Sequence, residues 1–198
     1  MAQGKLFVIS GPSGVGKGTI CTRILDADEN MRFSVSMTTR QPREGEVEGE
    51  DYFFVDKPAF EKLLQEGGLL EHNQYLDNYY GTPRAQVVQW IEEGSSVILE
   101  IDYHGAFQVR DAYPDCVLIF IMPPSIDELE ARISGRGSET EETKQKRIVE
   151  ALKEIAQSDK YDYIVVNENL DAAVERVSQI MDFERNKPIN MTELGKEE

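Results

Sequence analysis

Cysteine is almost absent from this chain. Cys21 and Cys116 are the only two in 198 residues, and they are far apart and form no CxxC pair. A disulfide framework is excluded, and the pair reads as two ordinary reduced thiols of a cytosolic protein. Long apolar runs are missing too. The longest are strand-sized, such as Val117 to Met122, and Met1 to Lys5 carries no basic stretch leading into an apolar one. The expectation is a cytoplasmic chain without signal peptide or transmembrane helix. Positive charge is scarce: 21 Lys and Arg stand against 37 Asp and Glu, a net charge of −16 with a pI near 4.6. Such a chain is repelled by phosphate backbones and anionic lipid, which excludes nucleic acid and membrane as partners. A local basic cluster can still overcome that field at contact distance and bind a nucleotide. No internal repeat and no low-complexity segment interrupts the sequence.

What is present suffices for one compact domain with small inserted lobes, since 40% of the residues are hydrophobic. Leu6 to Ile9 is a short apolar run that ends in a glycine-rich turn, the pattern of a buried strand. A helix follows from Thr19 to Leu25. Strands are predicted at Phe33 to Met37, Tyr52 to Val55, Val97 to Asp102, Val117 to Ile121 and Tyr163 to Val166. Asp56-Lys57-Pro58 opens a helix that Gly67-Gly68 stops. Thr82-Pro83 reads as an N-cap with proline at the first helical position, opening a helix that runs to Glu93. Ser125 to Glu128 and Ser138 to Glu141 fit capping boxes. Asp171 to about Arg185 is a last helix, followed by a polar tail.

Alternating strands and helices predict an α/β fold, a parallel sheet with helices on both faces. Two stretches break the alternation. Residues 34–83 are aromatic, acidic and mixed. Residues 126–154 are helical and carry charges of both signs, with Gly135 and Gly137 as pivots. The expected organisation is a core of 1–33, 84–125 and 155–198, a lobe at 34–83 and a lid at 126–154.

The strongest chemical signal is Gly11-Pro12-Ser13-Gly14-Val15-Gly16-Lys17, between the first strand and the first helix. It matches GxxxxGK in the context that pattern requires. Backbone N–H groups of such a turn form a nest for phosphate oxygens, and the helix N-terminus adds partial positive charge. Lys17 supplies a full charge toward the β- and γ-phosphates of a nucleoside triphosphate. Gly18 stands where the usual motif has a Mg²⁺-binding hydroxyl. Thr19 cannot replace it, because one helical residue turns a side chain by about 100°. A GTPase switch is therefore disfavoured.

A second substrate site is indicated by Ser36-x-x-Thr39-Arg40-x-Pro42-Arg43-x-Gly45-Glu46. Asp51-Tyr52, Glu71, Asn78-Tyr79-Tyr80-Gly81-Thr82, Ile101-Asp102 with Gly105, and Arg136-Gly137 follow in order. Forked guanidiniums with tyrosine hydroxyls suit a phosphate monoester. On these motifs the chain resembles the bacterial guanylate kinases over most of its length. The GKGT loop is also similar to that of the nucleoside monophosphate kinases, where phosphate oxygens and water hold Mg²⁺. The resemblance implies a P-loop NTPase-type sheet with an inserted GMP-binding lobe and a helical lid. It implies transfer of the γ-phosphoryl group of ATP to GMP, with Mg²⁺ bound to ATP.

By that resemblance Gly11 to Thr19 bind ATP, together with Arg136 and Asn167. Arg40, Arg43, Tyr52 and Tyr80 bind the GMP phosphate, while Ser36, Glu71, Thr82 and Asp102 serve the base. Lys17, Arg40, Arg132, Arg136 and Arg147 carry the catalytic charge. The chemistry of guanine agrees: an ionised Glu71 accepts from N1–H and N2–H₂, and a Ser36 hydroxyl can donate to O6. Adenine offers the opposite pattern. Two positions depart from the family. His104 stands where glutamine is usual, as a polar neighbour of Asp102, and Asp77 replaces a glycine. Two other functions are weighed less: an inactive scaffold module that binds phosphorylated protein, and a kinase for AMP or UMP. The sequence leaves dGMP as a further acceptor, and both monomer and homo-oligomer, open.

Overall fold

The computed structural model describes residues 4–134 and 141–187. A five-stranded parallel sheet forms its centre. In spatial order its strands are β2 (Met31–Phe33), β7 (Ser96–Glu100), β1 (Leu6–Ser10), β8 (Val117–Met122) and β9 (Tyr163–Val166). Side chains of β1 alternate between two cores, as strand geometry requires. Phe7 and Ile9 pack with Ile20 and Ile24 of α1 (Lys17–Ala27) and Val177 and Met181 of α7 (Leu170–Arg185). Leu6 and Val8 pack on the other face with Val87 and Ile91 of α3 (Arg84–Glu92), and Ala106 and Val109 of α4 (Tyr103–Ala112). The expected parallel sheet covered on both faces is the fold observed.

A second sheet of order β4-β3-β6-β5 is built from β3 (Met37–Thr38), β4 (Phe53–Phe54), β5 (Leu69–Tyr75) and β6 (Asn78–Pro83), with α2 (Lys57–Gln65) inserted between β4 and β5. The helices α5 (Ile126–Ser134) and α6 (Glu141–Ile155) share a small apolar cluster of Leu129, Ile133 and Ala151.

Three local expectations change. The single strand predicted at Phe33 to Met37 is two strands in two sheets. The Ser34 N–H still bonds Ile98 O of the core sheet, whereas Ser36 O already accepts from Phe53 N. Local β propensity cannot reveal that exchange of partners. Thr82 is not a helix cap. It lies in β6 and its hydroxyl donates to Glu71 Oε1 at 2.6 Å, so Pro83 becomes the N-cap residue, without a side-chain cap. The segment after β7, for which no helix is predicted, is α4, capped by the Asp102 side chain, which accepts the Gly105 N–H at 2.9 Å. Other signals behave as expected. Asp56 caps α2 through Ala59 N, and Ser125 accepts the Glu128 N–H. The capping box starting at Ser138 begins outside the described residues.

Candidate active site

The glycine-rich loop leaves β1 at Ser10 and enters α1 at Lys17. Gly11 has φ +146°, and a Cβ there would stand 2.3 Å from Ile121 O. The backbone therefore hugs β8 as only glycine allows. Gly16, at φ +99°, would press a Cβ against Asn167 Nδ2 at 2.8 Å. That Asn167 amide donates to Val15 O at 2.8 Å and ties the loop to the end of β9. Lys17 Nζ donates to Gly11 O at 2.5 Å and to Pro12 O at 3.3 Å, so its ammonium lies across the cradle. The helix α6 meets the same loop: Arg147 donates to Ser13 Oγ at 2.8 Å. Arg132 donates to Glu128 Oε1 at 3.0 Å and to Asn167 O at 3.3 Å. Arg136 lies outside the described residues.

Beside the loop is a cavity of about 400 Å³ lined by residues of both sheets. Ser36, Tyr52, Glu71, Tyr80 and Asp102 of the expected GMP set line it, and Asn73, Tyr75, Glu100 and Ile101 complete it. Thr82 acts behind that wall, through its bond to Glu71. Arg40 makes two bonds to the Glu46 carboxylate, at 2.8 and 2.9 Å, with its guanidinium over the Tyr52 ring. The Arg40 hydrogen bonds hold the Glu46 carboxyl down at about 2. The Arg43 side chain is exposed, and the Arg43 backbone N–H donates to Glu46 Oε2.

Burial dominates the electrostatics. It pulls the Lys17 ammonium below its ordinary range, against the opposing charges of Glu100 and Glu154. It pushes the Glu154 carboxyl up to about 7, against the pull of Lys17. Burial also pushes the Glu71 carboxyl up to about 7; the Thr82 hydroxyl opposes this and the Asp102 charge adds to it. Both cysteines are free and buried, and burial raises the thiols of Cys21 to about 12 and Cys116 to about 11. Neither is a reactive thiolate.

The Glu71 shift has a sign that stability can test. Its folded pKa lies above the unfolded value, so the native state binds more protons between about pH 4.5 and pH 7. The favourable contribution is full below about pH 4.5 and is lost as pH rises through 7. Above that, the buried carboxylate costs the ligand-free protein about 3 kcal/mol. Glu71→Gln should therefore be more stable than wild type by about 2–3 kcal/mol at pH 8, with the gap closing near pH 5. Urea unfolding of both proteins at the two pH values measures it. A gap independent of pH would show that Glu71 ionises freely in the fold.

Sequence reasoning missed Glu100 and Asn73. Glu100 is the last residue of β7, and a Cβ on Gly18 would stand 3.5 Å from its Oε2. The available signal was a strand ending on carboxylates next to a lysine loop. Asn73 donates to Asp102 Oδ2 at 3.2 Å, a pairing across 29 residues with no local signal. His104 is exposed, with its ring against Tyr103; the Asp102 carboxylate is bonded by Gly105 and Asn73 instead. The positive φ of the β5–β6 hairpin falls on Leu76, not on Asp77.

Comparisons with known proteins agree with this geometry. The guanylate kinase family model matches residues 3–184. The guanylate kinase of Oceanobacillus iheyensis is 48% identical over 185 residues, covering 93% of this chain and 90% of that one. The Lactiplantibacillus plantarum guanylate kinase is 50% identical over 184 residues, covering 92% and 89%. The crystal structure of guanylate kinase from Anaplasma phagocytophilum superposes with a TM-score of 0.77 at 36% identity, covering 99% of this chain and 95% of that chain. A phosphate loop facing a two-sheet cavity, and a family model spanning nearly the whole sequence, lead to one assignment: the chain belongs to the guanylate kinase family.

Proposed function

We infer that this chain transfers the γ-phosphoryl group of ATP to GMP, giving ADP and GDP, with the following division of labour. Gly11, Pro12, Ser13, Gly14, Val15, Gly16, Lys17, Gly18 and Thr19 hold the ATP phosphates, and Asn167 faces the adenine. Arg40, Arg43, Tyr52 and Tyr80 take the GMP phosphate. Ser36, Glu71 and Asp102 read guanine, with Thr82 orienting Glu71. Lys17, Arg132, Arg136 and Arg147 neutralise the charge of the transferring group. The attacking atom is a GMP phosphate oxygen, already anionic, so positioning and charge do the catalysis and no strong base is needed.

One observation carries this reading: a single cavity joins a buried carboxylate, Glu71, to the Glu100 and Asp102 carboxylates that interact with the loop lysine. Base recognition in this reading lies next to the phosphate chemistry, because Glu100 both lines the cavity and stands beside Gly18 of the loop. The Arg40–Glu46 pair fits a resting phosphate site, because a phosphate dianion can compete for the same forked donors.

Mg²⁺ enters with ATP in this reading. Among the described residues no group of three or more His, Cys, Asp or Glu is arranged to hold a metal. The Glu100 carboxylate beside Gly18 is the hard oxygen donor that suits it, supporting phosphate oxygens and water. When bound, the ion neutralises charge on the phosphates.

The second sheet and the cluster of α5 and α6 support a GMP lobe at 34–83 and a lid at 126–154, on a core of 1–33, 84–125 and 155–198. Among the described residues no helix is long and apolar enough to cross a membrane. The net charge of −16 disfavours contact with nucleic acid or an anionic membrane surface. The test is a coupled assay for ADP with ATP and GMP, dGMP, AMP, UMP or CMP. GMP should exceed AMP in kcat/KM by at least about a thousandfold, as expected where buried polar partners would be left unpaired. Comparable turnover of AMP would sink the assignment of the base site.

A further inference from the structure

The cap of α4 and two residues on one face of the helix, spaced three apart, each meet one of three consecutive residues of β5, Glu71 to Asn73. Asp102, the cap, accepts from the Asn73 side chain at 3.2 Å. Gly105 lies against Glu71: a Cβ at Gly105 would stand 3.0 Å from Glu71 Oε2 and 3.3 Å from its Cδ. Gln108 grips the backbone of His72 twice. Its Oε1 accepts the His72 N–H at 3.1 Å, and its Nε2 donates to His72 O at 2.9 Å.

That grip has a structural reason. β5 is the edge strand of its sheet, and its pairing with β6 shifts register between Leu69 and Glu71. Such an irregularity re-aims the side chain beside it, here turning Glu71 inward. The edge position of β5 leaves its outer backbone without a strand partner. The Gln108 amide, with one donor and one acceptor on the same group, replaces that partner at the next residue. Leu70, on the other side of Glu71, packs in the core with Val8 and Val87. The backbone on both sides of Glu71 is thus held by the core, while Thr82 of β6 holds its carboxylate.

We propose that Gln108, together with Gly105, is a positioning residue for Glu71 and sets the preference for guanine without touching the nucleotide. The proposal rests on the reading of Glu71 as the guanine-recognising carboxylate. Its test uses the intact enzyme and five proteins: wild type, Gln108→Leu, Gly105→Ala, Glu71→Ala and Gln108→Leu/Glu71→Ala. Gly105 has no positive φ, and alanine favours a helix. Gly105→Ala should therefore keep or raise Tm while displacing the carboxylate by a few tenths of an ångström. Recognition geometry tolerates little more than about 0.5 Å.

Both Gln108→Leu and Gly105→Ala should raise KM for GMP at least about fivefold, with kcat and KM for ATP within about twofold. The ratio of kcat/KM for GMP over AMP should narrow. In the Glu71→Ala background, Gln108→Leu should add nothing further, because both act on one interaction. A merely structural role would move Tm and leave the ratio alone. If Glu71→Ala is damaging but Gln108→Leu and Gly105→Ala leave GMP kinetics within twofold of wild type, the proposal fails and the reading of Glu71 stands. Additive losses in the double variant also overturn it. If Glu71→Ala itself leaves GMP kinetics unchanged, the reading of Glu71 falls, and the proposal with it.

Discussion

Lys17→Ala should lower kcat at least about a hundredfold while the protein stays folded, the scale seen on removing one preorganised electrostatic stabiliser. The position of the ammonium is the reason. It donates to Gly11 O and Pro12 O, within a cradle of N–H groups left by Gly11, Gly14 and Gly16, all at positive φ. Those carbonyls hold the charge in place before any phosphate arrives, so little reorganisation is needed when negative charge develops. Burial already lowers the Lys17 pKa, which marks a poorly solvated charge whose interactions are strong. The opposing charges of Glu100 and Glu154 counter that shift. Their burial explains why the fold should survive the substitution: without Lys17 both can protonate, since burial already raises both. Lys17→Met, which restores the apolar stem, should be as inactive as Lys17→Ala. Turnover near wild type in either folded variant, by coupled assay with circular dichroism as the check, would remove Lys17 from the mechanism.

The loop was legible in the sequence because everything that makes it is local. A strand, three glycines forced to positive φ and a lysine at the helix start occupy twelve consecutive residues. The cavity was legible only in part. Ser36, Tyr52, Glu71, Tyr80 and Asp102 follow from motifs and do line it. What the motifs could not show is which of their groups are already engaged. The Thr82 hydroxyl looks like a helix cap by local pattern, yet it is spent on a carboxylate eleven residues away. Arg40 looks like an open phosphate fork and is closed on Glu46. The strand β5 escaped notice because it breaks alternation: Leu69, Leu70 and Glu71 are buried in succession across a register shift. A buried glutamate in such a run contradicts the period-two signal from which strands are read. The same departure from pattern puts a buried carboxylate in the cavity wall.

Glu71→Ala should lower kcat/KM for GMP by roughly 30- to 1000-fold, with KM for ATP nearly unchanged. The figure follows from removing charge-assisted hydrogen bonds worth roughly 1.5–3 kcal/mol each, about 2–4 kcal/mol in all. Glu71 is built for this. It is 6% exposed, fixed by Thr82 on one oxygen and packed against Gly105 on the other. A solvated surface carboxylate among the 37 acidic residues would have none of these features. Ionisation gives a second signature. Guanine N1–H and N2–H₂ need acceptors, so the anion binds and the protonated acid does not. With Glu71 at about 7 in the free enzyme, kcat/KM for GMP should climb about tenfold per pH unit below 7 and level off above it. Glu71→Gln should be weaker throughout and lack that limb. The ionisation of the GMP phosphate near pH 6 affects both enzymes alike and cancels in their ratio. Steady-state kinetics from pH 5.5 to 8.5 for the three proteins therefore decide the matter. If Glu71→Ala stays within about threefold of wild type, or the ratio of wild type to Glu71→Gln is flat across pH, Glu71 does not read guanine as an anion and another group must carry the base preference.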